Sequence, residues 1–223
     1  MFSASGPRLS AKHRVCGELY TRFPPLKYWG LRRAYLTNSG WVRSGWERAP
    51  VDAAGNPLPW YTYAGIAFLE GRVRPGMRVF EYGSGQSTRW WANCVTQVDA
   101  VEHDATWIAR LSGTLPANVD LRFAPTEGGA YARSAVERNT RYDVIVIDGS
   151  DRNSCARACL DALAEDGVVV WDNTEEPHAF GEGLELLRVA GFRRLDFHGL
   201  GPLNMDTWCT SILYRPAANC FGI

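Results

Sequence analysis

The ten residues Val79-Phe-Glu-Tyr-Gly-Ser-Gly-Gln-Ser-Thr88 constrain this chain more than any other stretch. An apolar run ends in an acid, passes through Gly-x-Gly and reaches Ser87 and Thr88. Such residues open helices, because their side-chain oxygens satisfy free backbone N–H groups. Gly83 and Gly85 permit a tight strand-to-helix turn and a close approach of backbone to ligand.

From Met77 onward, short apolar runs alternate with stretches of helical spacing. The runs Met77–Glu81, Gln97–Glu102, Val119–Phe123, Tyr142–Asp148, Gly167–Asp172, Phe192–His198 and Thr207–Tyr214 read as strands. Between them, Ser87–Val95, Ala105–Leu115, Gly128–Thr140, Arg152–Ala164 and Gly181–Ala190 read as helices. This order predicts an α/β fold, a doubly wound seven-stranded sheet that is mostly parallel. Gly199–Asn204 carries no helix, so the last two strands are expected to be antiparallel neighbours.

The texture differs before Met77. Residues 1–70 read as a helical and aromatic-rich extension, and 71–223 as the Rossmann-like domain. Leu26–Leu36 is expected to be helical, with loops rich in Gly, Pro and Trp after it and a short helix at Ala64–Gly71. Pro57 and Pro59 keep Pro57–Tyr63 out of any regular helix, and its aromatics demand burial. Trp41, Trp46, Trp60, Tyr61 and Tyr63 suit a lid, a cover for the sheet edge or a homodimer contact; cover is the stronger reading.

Composition narrows the partners. Lysine and arginine total 24, as do aspartate and glutamate, so no net field favours nucleic acid or an anionic membrane. A small-molecule or saccharide partner is expected. The six cysteines form no Cys-x-x-Cys pair, and Cys155 and Cys159 read as packing thiols on one helix face. No signal peptide or membrane span is legible, which predicts a cytoplasmic protein.

The ligand of the glycine turn follows from what is missing. A dinucleotide fingerprint places a third glycine three residues after Gly85, where this chain has Thr88. Glu81 would repel a phosphate but accepts hydrogen bonds from an ammonium group or a water beside one. Seventeen residues after Gly85, Glu102 ends the second strand, positioned to accept the hydroxyls of a ribose. Together these predict an adenosyl ligand without phosphates.

Glu81-Tyr-Gly-Ser-Gly-Gln-Ser87 resembles the first motif of the class I S-adenosylmethionine-dependent methyltransferases, and Glu102 resembles their acidic ribose-binding residue. The resemblance runs from Met77 to the C-terminus. It implies S-adenosylmethionine as cofactor, with Glu81, Gly83, Ser84, Gly85, Ser87, Glu102, His103 and Asp148 around it. The run Pro57–Tyr63 followed by this motif also resembles a bacterial group of methyltransferase-like proteins.

Two more central strands end in polar residues, at Asp148 and at Asp172-Asn173. Two carboxylates and an amide oxygen make a hard oxygen set that suits Mg²⁺. The arrangement is similar to the metal site of catechol-type O-methyltransferases and related to that of macrocin-type sugar O-methyltransferases. In the catechol group a lysine three residues after the first aspartate is the general base; here Asp151 stands there. Asp148, Asp151, His178 and His198 are the candidate proton acceptors. Strand-end aspartates are common in such sheets without metal, so a turn-capping role for Asp172 and Asn173 stands beside the metal one.

The expected activity is methyl transfer to a hydroxyl oxygen. Its rivals are an NAD-dependent oxidoreductase, disfavoured by Thr88 and Glu81, and a methyltransferase-like binding protein without catalysis, kept open by Asp151.

Overall fold

A computed structural model describes Leu19 and residues 21–223. Seven strands form one sheet in the order β3-β2-β1-β4-β5-β7-β6. They are β1 (Arg78–Tyr82), β2 (Gln97–Glu102), β3 (Val119–Phe123), β4 (Tyr142–Ile147), β5 (Leu163–Asp172), β6 (Arg193–Gly199) and β7 (Trp208–Tyr214). β1 to β5 are mutually parallel; β7 runs antiparallel to both β5 and β6. All seven expected strands are present, and the last two pair as anticipated.

The N-terminal part has α1 (Pro24–Leu31), a π-helical turn (Arg32–Leu36), α2 (Trp41–Glu47) and α3 (Tyr63–Glu70). The helices between strands are α4 (Gln86–Cys94), α5 (Ala105–Leu111), α6 (Ala130–Glu137), α7 (Arg152–Cys159) and α8 (Pro177–Val189). Three expectations are corrected. α7 stops at Cys159 instead of reaching Ala164, because Leu163 already pairs with Tyr142 at the start of β5. α8 begins four residues before Gly181, at Pro177, whose fixed φ suits a first helical turn. Trp41–Glu47, expected as loop, is a helix between two left-handed residues, Gly40 and Arg48.

Two cores sandwich the sheet. One gathers Phe80, Tyr82, Tyr131, Tyr142, Ile145, Ile147, Cys155, Cys159 and Trp171, so those cysteines are packing thiols as expected. The other joins Leu58, Tyr61, Ile66 and Leu69 to Val79, Trp91, Val98, Val144, Val146 and Ile212. Leu58 and Tyr61 thus bury against the sheet, each contributing roughly 1.5–3 kcal/mol by leaving water. Among the described residues, no helix is long and apolar enough to cross a membrane.

β1 lies between β2 and β4, so the chain leaves it in one direction and returns on its other side. Such a switch point opens a crevice at the carboxyl ends of the strands. Two glycines let those ends converge. Gly83 has φ +101°, and a Cβ there would lie 3.2 Å from the Gly149 Cα. A Cβ on Gly149 would lie 2.0 Å from the Tyr131 hydroxyl and 2.9 Å from the Gly83 nitrogen. Gly149→Ala is therefore expected to destabilise the fold by about 1–3 kcal/mol, the usual cost of overpacking. Urea unfolding of the variant against the wild type measures this; an unchanged midpoint would show that the two strand ends have room.

Candidate active site

A cavity of about 600 Å³ opens at these strand ends. Ser84, Gly85, Gln86, Ser87 and Trp107 form one wall; Asp148, Arg152, Asp172 and Asn173 form the floor. Arg48, Ala49, Pro50 and Trp60 reach it from the N-terminal part, and Leu203, Asn204 and Trp208 from β7 and the loop before it.

Behind the first wall, the turn after β1 is locked by side chains. The Gly83 N–H donates to the Val101 carbonyl at 2.9 Å. The Thr88 hydroxyl accepts from the Gly85 N–H at 2.9 Å and donates to Glu81 Oε2 at 2.5 Å. Thr88, the residue that departs from a dinucleotide fingerprint, is thus what ties the turn to Glu81. Glu81 itself is 1% exposed, and its Oε1 is buried with no partner. Burial drives its pKa from 4.5 up to about 8, opposed by Ser87 and Thr88 and reinforced by the charges of Asp148 and Glu102. A buried acceptor without a donor is costly unless a ligand supplies one, and an ammonium group fits that requirement.

Glu102 lies at the tip of β2, 5% exposed. Its Oε2 accepts from the Ser84 hydroxyl at 2.9 Å, and its Oε1 from the His103 and Asp104 N–H groups at 2.8 and 3.0 Å. The His103 imidazole Nδ1 sits 2.8 Å from the same Oε1. Ser84 therefore stands between this carboxylate and the cavity, while the Trp107 indole N–H fixes the Ser84 carbonyl at 2.9 Å. Glu81, Gly83, Glu102 and His103 make the shell behind Ser84, Gly85 and Ser87.

The floor brings together Asp148, Asp172 and Asn173, as their strand ends predicted. Asp172 is 3% exposed, and its Oδ1 accepts from the Trp208 indole N–H at 3.1 Å and the Thr210 hydroxyl at 2.5 Å. Burial and the neighbouring Asp148 hold its pKa well above the carboxylate range. Asp148 is raised from 3.8 to about 6 by burial, with Arg152 pulling it back down. Arg152 lies among the three, donating to Asp148 Oδ1 at 3.3 Å and Asn173 Oδ1 at 3.1 Å. Arg152 engages Oδ1 of Asp148 and of Asn173, and Asp172 Oδ1 takes two donors from β7, so the expected Mg²⁺ would be left with the second carboxylate oxygens of the two aspartates beside a fixed positive charge, an arrangement that does not favour it.

The other proton-acceptor candidates lie elsewhere. Asp151 is exposed, has a left-handed φ of +45° just before α7, and lies outside the cavity lining. His178 is exposed in the first turn of α8, outside the cavity lining. His198 lies exposed on β6, where its ring groups with Asp196 and Cys209, their ligand atoms within 4.8 Å of one another. Among the four candidates, Asp148 alone lines the cavity. Arg152, Trp107, Arg48 and Trp208 are cavity residues that the sequence did not single out. Only Arg152 left a trace there, four residues after Asp148.

No protein-family model and no curated protein matches the chain in sequence. Among solved structures, a precorrin-6y C5,15-methyltransferase from Geobacter metallireducens GS-15 aligns over 67% of this chain and 86% of its own, with TM-score 0.53 and 14% identity. A Klebsiella pneumoniae protein provisionally called an O-methyltransferase aligns over 91% of this chain and 96% of its own, with TM-score 0.54 and 18% identity. The chain has the class I methyltransferase fold. In this methyltransferase fold the cavity sits where the Gly-x-Gly turn and the β4 and β5 tips meet.

Glu81 yields a test that needs no ligand. Its pKa is higher in the folded protein than in the unfolded chain, so folding retains a proton that unfolding releases. The stability this group contributes is complete below pH 4.5 and is lost as pH rises to about 8. Glu81→Gln is expected to remove that part of the decline in a plot of Tm against pH. A wild-type slope in the variant would place the titration elsewhere.

Proposed function

We propose that the protein is an S-adenosylmethionine-dependent methyltransferase that methylates a hydroxyl oxygen on a small molecule or saccharide. The observation that carries this is the buried, unpartnered Oε1 of Glu81 behind a glycine turn whose far end is tied to Glu102. That set suits a ligand with an ammonium at one end and a ribose at the other, and no phosphate between them.

When bound, S-adenosylmethionine supplies a sulfonium methyl group open to in-line displacement by a nucleophile. The chain's residues do the positioning. Gly83 and Gly85 bring backbone close to the ligand. Glu81 Oε1 would accept from its ammonium, which would lower the cost of burying that carboxyl. With the Ser84 proton given to Glu102, the Glu102 carboxylate and the Ser84 hydroxyl oxygen would accept from the ribose hydroxyls, and the Trp107 indole would flank the adenine end. Holding donor and acceptor in line contributes most of the rate in such a transfer. Asp148, on the opposite floor, would take the proton of the acceptor hydroxyl; a pKa of about 6 leaves it mostly ionised at neutral pH. The balanced charge of the chain favours neither nucleic acid nor an anionic surface as acceptor.

Two measurements test this. Calorimetry is expected to detect S-adenosylhomocysteine and not NADH, with Glu102→Ala weakening the former by about tenfold or more, as loss of a charged hydrogen-bond partner does. Binding of NADH alone would overturn the reading in favour of an oxidoreductase. Asp148→Asn is expected to retain S-adenosylhomocysteine binding and lose about 10²-fold or more in turnover, the scale of a missing general base. Full turnover in that variant would remove Asp148 from the proton's path.

A further inference from the structure

Arg152 takes no part in the scheme above, and its surroundings are unusual for an arginine at a cavity wall. A guanidinium has five N–H donors, and here each has an acceptor. Nε donates to the Gly149 carbonyl at 2.9 Å. Nη1 donates to the Asp172 carbonyl at 2.5 Å and Asn173 Oδ1 at 3.1 Å. Nη2 donates to the carbonyl and Oδ1 of Asp148, both at 3.3 Å. The Phe180 ring lies 4.9 Å from Cζ and covers the guanidinium face. Only 11% of the side chain is exposed.

We propose that this guanidinium is the built-in cation of the acceptor site, standing where a divalent ion would otherwise bridge Asp148 and Asn173, and that the site works without metal. Only the identification of this end as the acceptor's rests on the methyl-transfer reading; the exclusion of a divalent ion rests on the geometry of Arg152. An incoming ion would sit beside a fixed positive charge in a poorly solvated floor, where like charges repel strongly. Displacing the guanidinium instead would strip three main-chain carbonyls, those of Asp148, Gly149 and Asp172, of a donor. Asp172 Oδ1 is already held by Trp208 and Thr210.

The substrate class follows. A metal in this place selects acceptors that present two oxygens to it, as vicinal diols do. Arg152 has no donor left to grip a second oxygen. The acceptor is then a single hydroxyl aimed at Asp148, carried on a body that lies against Trp60 and the Leu203-Asn204 segment.

The test is divalent-ion binding, read by water-proton relaxation with Mn²⁺ as probe after dialysis of the protein against a chelator. Wild-type protein is expected to show no stoichiometric binding. Arg152→Met keeps a long side chain over Phe180 but removes the charge; it is expected to bind Mn²⁺ at least about tenfold more tightly than wild type, because the paired carboxylates then lack their cation. Stoichiometric Mn²⁺ binding to the wild type that is lost in Asp148→Asn would overturn the proposal, as would a folded Arg152→Met with no gain. If Arg152→Met does not fold, Arg152→Gln takes its place with the same expectations. S-adenosylhomocysteine binding is measured on the same samples, so a protein that binds neither ligand nor ion refutes the methyl-transfer reading and leaves the exclusion of metal standing.

Discussion

The close approach of Gly83 and Gly149 governs everything at the open end of this sheet. β1 and β4 are parallel neighbours at the point where the winding reverses, and their exits converge because Gly83, the first residue beyond β1, and Gly149, the second beyond β4, carry no side chain. From the first exit the chain enters α4 with Glu81 locked beneath it; from the second it swings past Asp148 into α7 and delivers Arg152. A side chain at either glycine would separate the ligand-facing turn from the acid floor. The two halves of the cavity are therefore a product of backbone contact rather than of any direct bond between their functional side chains.

The strength of electrostatic effects here comes from dryness. Glu81, Asp148 and Asp172 are three carboxyl groups with raised pKa values in one small volume, and in each case burial is the leading cause. The protein answers them differently. Glu81 receives one hydroxyl and keeps a free oxygen, Asp172 receives an indole and a hydroxyl, and Asp148 receives a full positive charge. Such separation of environments gives chemically identical groups distinct roles.

Much of this was legible in the sequence wherever the determining contacts are local. The seven strands follow from apolar runs bounded by turns, and the β1 turn follows from glycine's access to positive φ. The strand-end acids were placed correctly because every parallel strand must deliver its last residue to the same edge. What could not be read depends on contacts between distant segments. Arg152 looked like the first residue of a helix, since its acceptors come from the ends of two strands and the turn beyond each. Asp151 and His178 have types that suit proton transfer, but both are exposed residues outside the cavity lining, which only the packing of distant segments decides. The N-terminal helix at Trp41–Glu47 was hidden by glycines and tryptophans that disfavour helices in isolation.

The Pro57–Tyr63 segment carries Trp60 to the mouth of the cavity, and its fastening matters for how anything enters. The Thr62 N–H donates to the Thr210 hydroxyl at 2.9 Å, and that hydroxyl donates in turn to Asp172. The Thr62 hydroxyl donates to the Phe197 carbonyl, the Tyr63 N–H to the Leu200 carbonyl, and Tyr61 is fully buried beside them. A wall stitched to two strands in this way cannot swing like a hinged flap without exposing a tyrosine and loosening a carboxyl of the floor. The segment is therefore part of the cavity's frame, with Trp60 on a rim held by the same hydrogen bonds that fasten the floor.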